Sequence, residues 1–580
     1  DDYGYFSDEN VSLGHRRLSI IDLSEKGKQP MSNVDKTIWI VFNGEIYNYQ
    51  ELRRELEKKY SFSSNTDTEV IIYAYQEWGI KCLDKFNGMW AFCIYDKNKG
   101  KLILARDRLG KKPLYYYFND GKFIFGSELK AILAHNIQLS IFPEALDFYF
   151  TIGYIPSPMS IYKEIKKLEA RQVLEFDLKT KHLKTQYYYQ IPKYKPVYDK
   201  KSLIREGRDL LYDATRLRMI ADVPVGAFLS GGLDSSSVVA AMSRFTDLKK
   251  LHTFSIGFEG KYDESEYMYC VKDYLKTRHH HKYYTKRDFE EMLDKISYYY
   301  DEPFADYSNF PTYEVSRLAK KYVTVVLTGD GGDEIFGGYT MHQAAARLVV
   351  LKKIPKFFRK ILYKLLPKTK SVGLYGQIVE GLKLSLLPPE DFYAELGSEI
   401  TYKPESFKKW SREKMKECLK TCNNNLVEAV IRYDLYYNTL ADNFLCKVDR
   451  ASMANALEAR APFLDYRFLE LEAKIPPEWK VNFFKTKILM REIIKDILPK
   501  KIVKRGKKGF QPPLPKYIKE KKYEKLLEDL KLLYEQKIIN EKWHTILKDS
   551  ILKKNNFVYE NLKIRLLLFL KWMHEKPKKI

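Results

Sequence analysis

Several kinds of protein are excluded by what this 580-residue chain does not contain. It has no run of about 18 consecutive apolar residues, so a membrane-spanning helix is not expected. Cysteines are few and scattered. Cys82, Cys93, Cys270, Cys418, Cys422 and Cys446 show no paired metal-ligand spacing, and a chain of this size needs no disulfide staples, which fits a reducing cytoplasm. Cys418 and Cys422 stand four apart, but no second Cys or His pair accompanies them to complete a zinc site. The consecutive His279, His280 and His281 cannot share one helix face and read as a solvated turn. No Gly-x-x-x-x-Gly-Lys-Ser/Thr occurs, so the Walker loop and its phosphate-pairing lysine are absent. Acidic balance is lacking too, with a formal net charge of +24. The lysines are spread thinly, with denser runs only at Lys504 to Lys508 and in the terminal EKPKKI, so a solvated surface accounts for them and no nucleic-acid partner is expected. An initiating methionine is also missing, and the opening DDYGYFSDEN is too polar for a signal peptide. The chain reads as beginning inside a longer protein.

What is present suffices for large cores: 45% hydrophobic and 14% aromatic residues, at a length that predicts more than one domain. The stretch Asp222 to Ser236, DVPVGAFLSGGLDSS, carries the most chemistry. Val223, Val225, Ala227, Phe228 and Leu229 form the apolar run of a parallel-sheet strand, Ser230-Gly231-Gly232 turn the chain without bulk, and a helix is expected from Ser235 to Met242. Such a loop presents unpaired backbone N–H groups at the positive end of a helix dipole, and its glycines let an anion approach. A second apolar strand, in YVTVVLTGDGGDEIFGGY (322 to 339), again ends in glycines and acids, Thr328 to Glu334, without the roughly 12-residue ligand span of a calcium hand. Helix (Ser202 to Arg218), strand (LHTFSIGF, 251 to 258) and further helices alternate around these loops, which implies a doubly wound parallel sheet with ligands at the carboxyl ends of its strands. From about Ala344 onward the pattern is mostly helical, with lysines on many turns. Thr486-Lys487 and Arg491 place two cations on one helix face.

Residues 1 to about 191 read differently. Strand-like runs TIWIVFN (37 to 43), MWAFCIYD (89 to 96), KLILARD (101 to 107), LYYYF (114 to 118) and KFIFGSE (122 to 128) are joined by turn residues, as in antiparallel sheets, and Asn48 to Lys59 and Thr68 to Trp78 have helical spacing. Polar islands interrupt these runs: His15-Arg16-Arg17-Leu18-Ser19, Asn43-Gly44-Glu45-Ile46-Tyr47-Asn48 and Asp67-Thr68-Glu69. With Arg106-Asp107-Arg108, Lys112-Pro113-Leu114-Tyr115 and Ser127-Glu128-Leu129-Lys130-Ala131, they resemble the glutaminase domain of the glutamine-hydrolysing asparagine synthetase family. Ser230-Gly231-Gly232-Leu233-Asp234-Ser235-Ser236 resembles the pyrophosphate loop of enzymes that split ATP between its α and β phosphates, and Leu445 to Ala454 with Leu457 to Asp465 resembles that family's signature beside its cleft.

The resemblance implies roles position by position. Arg17 would hold the α-carboxylate of glutamine and Asp67 its α-ammonium, Asn43 and Gly44 would form the oxyanion hole, and Glu45 would orient the ligand. Leu229, Ile256 and Gly329 would line the adenosine pocket, while Ser230, Gly231, Gly232, Ser235 and Ser236 would hold pyrophosphate. Asp234 and Asp333 would share Mg²⁺, Asp330 would assist proton removal from ammonia, and Lys487 would stabilise phosphate charge. The family's N-terminal nucleophilic cysteine is not among these residues, and Glu169-Ala170-Arg171-Gln172 stands where relatives often have Pro-Pro-Gly-His.

The expectations are therefore an antiparallel-sheet sandwich of the N-terminal nucleophile hydrolase type over 1–193, then an α/β doubly wound domain with a helical C-terminal extension over 194–580. ATP and Mg²⁺ are implied, with glutamine and aspartate as small-molecule partners, no membrane, a cytoplasmic location and room for a homodimer. Asp301 to Pro311 shows no cationic clamp for a second carboxylate, so an amidotransferase of the same mechanism acting on another carboxylate, such as a uronic-acid sugar, is the alternative, and the loop with positive charge leaves a protein that modifies or binds tRNA as a further rival.

Overall fold

The structure, a computed structural model, describes all residues except 261–262, 367–373, 399, 401, 507–521, 554–556 and 576–580. The basic run Lys504 to Lys508 from Lys507 on, and EKPKKI from residue 576 on, lie outside the described residues.

The first part is antiparallel. β1 (Asp2–Ser7) and β2 (Ser12–Arg17) form a hairpin. β3 (Met31–Ser32), β4 (Ile38–Ile46), β5 (Gly88–Asp96) and β6 (Lys101–Arg106) enter a six-stranded sheet, and β7 (Tyr115–Asn119) and β8 (Lys122–Gly126) pair with β9 (Ile165–Lys167) in a three-stranded one. β10 (Gln172–Asp177) and β11 (Leu183–Tyr187) complete the larger sheet, in the order β11-β10-β6-β5-β4-β3. Both faces of this sheet are apolar, so its central strands need cover on each side. Ile40, Phe42, Phe92, Ile94 and Ile103 meet α1 (Tyr49–Leu56) and α2 (Asp67–Trp78), while Val41, Cys93, Tyr95 and Leu104 meet Leu13, Leu114 and Tyr116 across the sandwich. Thr66 caps α2 by accepting the Glu69 N–H, the local reason the helix starts where it places Asp67.

The second part is a parallel sheet of order β14-β13-β12-β15-β16, from β12 (Val225–Phe228), β13 (His252–Gly257), β14 (Arg278–Tyr283), β15 (Val325–Leu327) and β16 (Glu458–Arg460). α3 (Lys200–Arg218) precedes it, and α4 (Leu233–Met242) and α5 (Gly332–Phe336) leave the carboxyl ends of β12 and β15. Strand order reverses between these two strands, so both glycine loops open onto the crevice at the switch point. Later helices include α6 (Thr340–Leu351), α7 (Lys356–Leu365), α8 (Leu374–Ser385) and α9 (Cys446–Met453). This is the expected fold class, an antiparallel sandwich followed by a covered parallel sheet with a helical C-terminal part.

Two local expectations fail. His279 to His281 form no turn; they lie in β14, paired with β13, where the period-two pleat sends His279 to the hydroxyls of Thr253 and Ser255 and His280 to His252 and the Tyr322 ring. β16 was not expected at all. It is Glu-Ala-Arg, charged enough to hide its strand character, and it is buried because Arg460 pairs with Glu458 at 2.7 Å and with Glu45 at 2.8 Å. All six cysteines are free thiols, and Cys82, Cys93, Cys418 and Cys422 are buried, as core residues should be.

The antiparallel and parallel parts share one continuous apolar core, and polar contacts cross between them. Asn87 Nδ2 donates to Asp465 Oδ2 at 2.8 Å, Lys112 pairs with Asp449 at 2.8 Å, and Lys111 Nζ donates to the carbonyls of Gly88 and Leu464 at 2.8 and 3.0 Å. Burial lowers the Lys111 ammonium from 10.5 to about 7. Its folded value lies below its unfolded one, so the stability it contributes is complete above about 10.5 and is lost as pH falls through about 7. Melting temperature measured across that window is expected to rise with pH in the parent chain and to rise less in Lys111→Met. An unchanged slope would show that Lys111 stays charged.

Candidate active sites

The phosphate-loop site is built by close backbone approach. Gly231 has φ +70°, where a side chain would be strained, and a Cβ there would also stand 2.6 Å from the Met268 nitrogen. Ser230 N donates to Ser235 Oγ at 3.2 Å, the two hydroxyls lie 3.0 Å apart, and Gly232 N donates to Ser230 Oγ at 3.2 Å, so serines hold the turn in shape. Ser236 Oγ, at the first turn of α4, is buried with no hydrogen-bond partner among the described residues. The helix begins at Leu233, two residues earlier than the sequence implied.

The second loop packs directly on the first. A Cβ on Gly329 would fall 2.5 Å from Ser235 N, and one on Gly332 would fall 2.3 Å from Asp234 Oδ1. That proximity brings Asp234 and Asp333 onto one cation. Lys487 Nζ lies 2.5 Å from Asp234 Oδ2 and 2.7 Å from Asp333 Oδ1. Burial works against the Lys487 charge, but the two carboxylates outweigh it and hold the ammonium above its ordinary value. Lys487 does not share a helix face with Arg491, contrary to the spacing. It is the residue before the helix Ile488–Ile494, at φ +53°, whereas Arg491 Nε and Nη2 are taken up by the carbonyls of Thr486 and Arg505. Asp330 Oδ2 accepts a 2.6 Å hydrogen bond from Thr328 Oγ1. Leu229 and Ile256 are both buried, but in the two separate cores on either side of the sheet, so the structure does not bring their side chains together.

In the first part, Arg17 ends β2 with its guanidinium on the carbonyls of Ile21, Asp22 and Ser24, at 3.0, 2.6 and 3.2 Å. Gly27 leaves room for it, since a Cβ there would stand 2.0 Å from Arg17 Nη2. Asp22 also accepts the Asn65 N–H at 2.7 Å, which ties the Arg17 loop to the turn that carries Asp67. Asp67 Oδ2 accepts the Ile46 N–H at 2.8 Å. Asn43 Nδ2 donates to Ser127 Oγ at 3.4 Å, and Gly44 has φ +149° with a Cβ position only 2.1 Å from the Met89 carbonyl. Glu45 and Asp67 are buried together. Burial and their mutual repulsion raise the Glu45 carboxyl well above its usual range against the pull of Arg460, and burial raises Asp67 against the Ile46 N–H.

A chain of contacts joins the two sites. Glu45 Oε2 accepts from Arg460 Nη2 at 2.8 Å, the Arg460 carbonyl accepts the Thr328 N–H at 2.8 Å, and Thr328 bonds Asp330. Arg460 carried no assigned role in the sequence, although it stands inside the quoted Leu457 to Asp465 island. Gly338 was missed as well. A Cβ there would stand 1.8 Å from Asp333 Oδ1 and 2.3 Å from Lys487 Cε, and the visible signal was a second glycine pair just after the acids.

With this geometry in view, comparison with known proteins divides the chain the same way. A family model described as Glutamine amidotransferase domain matches residues 1–189, and one described as Asparagine synthase matches residues 206–567. The chain belongs to the asparagine synthase family. A putative glutamine-hydrolysing asparagine synthetase 2 of Methanocaldococcus jannaschii is 55% identical over 467 residues, 77% of this chain and 90% of that protein. Glutamine-hydrolysing asparagine synthetase 1 of Bacillus subtilis is 36% identical over 539 residues, 90% of this chain and 82% of that protein.

Proposed function

We propose that the chain amidates aspartate with ammonia taken from glutamine, using ATP and releasing AMP and pyrophosphate. Residues 1–193 serve the glutamine half and 194–580 the synthetase half. The observation that carries this reading is the meeting of both glycine loops on Lys487, with Asp234 and Asp333 on the same ammonium at the carboxyl ends of β12 and β15. A free carboxylate has no adequate leaving group, so it must be activated. The aspartate side-chain carboxylate attacks the α-phosphorus of ATP, pyrophosphate departs, and ammonia then displaces AMP from the acyl-adenylate. Ser230, Gly231, Gly232, Ser235 and Ser236 hold the pyrophosphate, and Lys487 stabilises charge on the phosphates. Asp330 takes a proton from ammonia as the amide forms. Two carboxylates converging on one cation also suit Asp234 and Asp333 to share Mg²⁺, which when bound neutralises pyrophosphate charge.

Arg17 and the buried Glu45 and Asp67 pair suit a free amino acid, the guanidinium for its α-carboxylate and the acids for its α-ammonium. Asn43 and Gly44 supply the oxyanion donors. A cavity of about 20 Å³ at the contact between the two parts, lined by Lys111, Leu114, Tyr115, Cys446, Asp449 and Arg450, exceeds the roughly 10–15 Å³ a water needs and has room for ammonia. Six free thiols support a cytoplasmic setting. Acceptor choice is tested by measuring AMP release with ATP, Mg²⁺ and ammonium over a panel of acids. Aspartate is expected to lead, and preference for a uronic acid would move the assignment to the sugar.

A pH effect follows from the raised pair. An ammonium ligand favours the ionised form of Glu45 and Asp67, so glutamine binding should release protons and weaken as pH falls through the pair's raised range. Calorimetry in buffers of different ionisation enthalpy should show that release in the parent and less of it in Glu45→Gln. Equal release in both would place the proton elsewhere.

A further inference from the structure

Helix α7 turns its apolar side away from the protein. Phe357, Phe358 and Leu365 are 68%, 57% and 74% exposed, and Ile354, Ile361 and Leu362 beside them are exposed too. At about 100° per residue the five of these that lie in α7 fall on one continuous face, and Ile354 stands exposed just before the helix. The face toward the protein carries the opposite chemistry. Arg359 is its buried residue, donating from Nε to the Ile354 carbonyl at 2.8 Å and from Nη1 to the Ser385 carbonyl at the end of α8. An amphipathic helix of a soluble domain is ordinarily seated the other way round, with its apolar stripe inward, and a contiguous exposed row of this kind marks a contact surface.

Charge decides what fits it. Lys360 and Lys364 lie on one side of the apolar row, Lys353 and Lys356 are exposed around the helix start, and the chain carries no Asp or Glu between Thr340 and Val379. A second copy of the chain docked face to face would set these lysines against lysines, with no carboxylate in the segment to pair them. Nucleic acid would satisfy the cations and leave two phenylalanines and a leucine in water. A surface that is anionic at its plane and hydrocarbon beneath it satisfies both sets, because an amphipathic helix buries its apolar face at the acyl boundary while basic side chains meet the headgroups.

We propose that α7 is a docking face for an anionic lipid surface, so that the chain attaches peripherally to a membrane. This inference is independent of the proposed activity. Flotation with vesicles of phosphatidylglycerol and phosphatidylcholine in equal parts, against phosphatidylcholine alone, tests it. The full chain is expected to float with the mixed vesicles, about tenfold or more weaker with phosphatidylcholine alone and in raised salt. Phe357→Ser combined with Phe358→Ser and Leu365→Ser should lose about tenfold or more of that binding, as should Lys356→Glu with Lys360→Glu and Lys364→Glu. All these side chains are exposed, so unchanged thermal melting is expected of both variants and confirms their fold. No binding to the mixed vesicles, or equal binding by both variants, would overturn the proposal. A dimer seen by light scattering that the serine variant dissociates, without vesicle binding, would assign the face to a second copy and overturn it equally.

Discussion

Asp234→Ala is expected to abolish aspartate-dependent pyrophosphate release, by a factor of at least about 10² to 10³, the usual scale for removing one charge-stabilising group from a phosphoryl- or acyl-transfer site. The residue has two tasks. It fixes Lys487 Nζ at 2.5 Å, and on the proposed reading it shares the cation that neutralises pyrophosphate. Asp234→Asn separates these tasks from simple volume, since the amide fills the same space but binds Mg²⁺ poorly and cannot hold an ammonium by charge. It should be severely impaired as well. Lys487 keeps its contact with Asp333 in either variant, so the fold should survive, with melting to confirm it. Normal pyrophosphate release in Asp234→Ala would remove the loop from the mechanism.

The second large effect needs only one methyl group. In Gly338→Ala the new Cβ would stand 1.8 Å from Asp333 Oδ1 and 2.3 Å from Lys487 Cε, distances no real contact reaches. Something must move. Lys487 is also held by Asp234, so the displacement falls on the bridge itself, and loss of activity should approach that of Asp234→Ala, while stability changes little because the atoms displaced are side-chain ends. Gly14→Ala is the matched control, because nothing lies within 4 Å of its Cβ position. Full pyrophosphate release in Gly338→Ala would mean that the bridge between Lys487 and the acids is not required.

How far the sequence foretold this structure depends on where each residue finds its partners. The strand-loop-helix at Val225 to Met242 was legible because apolar run, glycines and helix are local and adjacent. The antiparallel strands near Ile38, Gly88 and Lys101 were legible for the same reason, within a residue or three at each end. β16 was not. Arg460 is buried between Glu458, two residues away, and Glu45, 415 residues away in the chain, and that second carboxylate is a partner no local pattern contains. The histidine strand was hidden likewise, since three histidines look solvated until Thr253, Ser255 and His252 are placed opposite them by the parallel pairing. In the sites, Asp234, Asp333 and Lys487 were singled out by motif and are found together. The left-handed backbone that aims Lys487, and the glycine at 338 that gives it room, are consequences of close packing and became visible only in three dimensions. Glu45 shows the other limit: its motif marked it as a glutamine contact, yet it also carries the ion pair that ties the two parts together.

On the proposed reaction, aspartate's side-chain carboxylate becomes bonded to the α-phosphorus of ATP at the crevice between β12 and β15. Isotope transfer reads that bond directly. Aspartate labelled with ¹⁸O in its side-chain carboxylate is incubated with the protein, ATP, Mg²⁺ and ammonium, and the AMP is analysed by mass spectrometry. One labelled oxygen is expected in the phosphoryl group of AMP, equal in amount to the asparagine formed, with pyrophosphate as the other product. Label found in inorganic phosphate beside ADP, or asparagine formed with unlabelled AMP, would contradict the acyl-adenylate and the roles given to Asp234, Asp333 and Lys487.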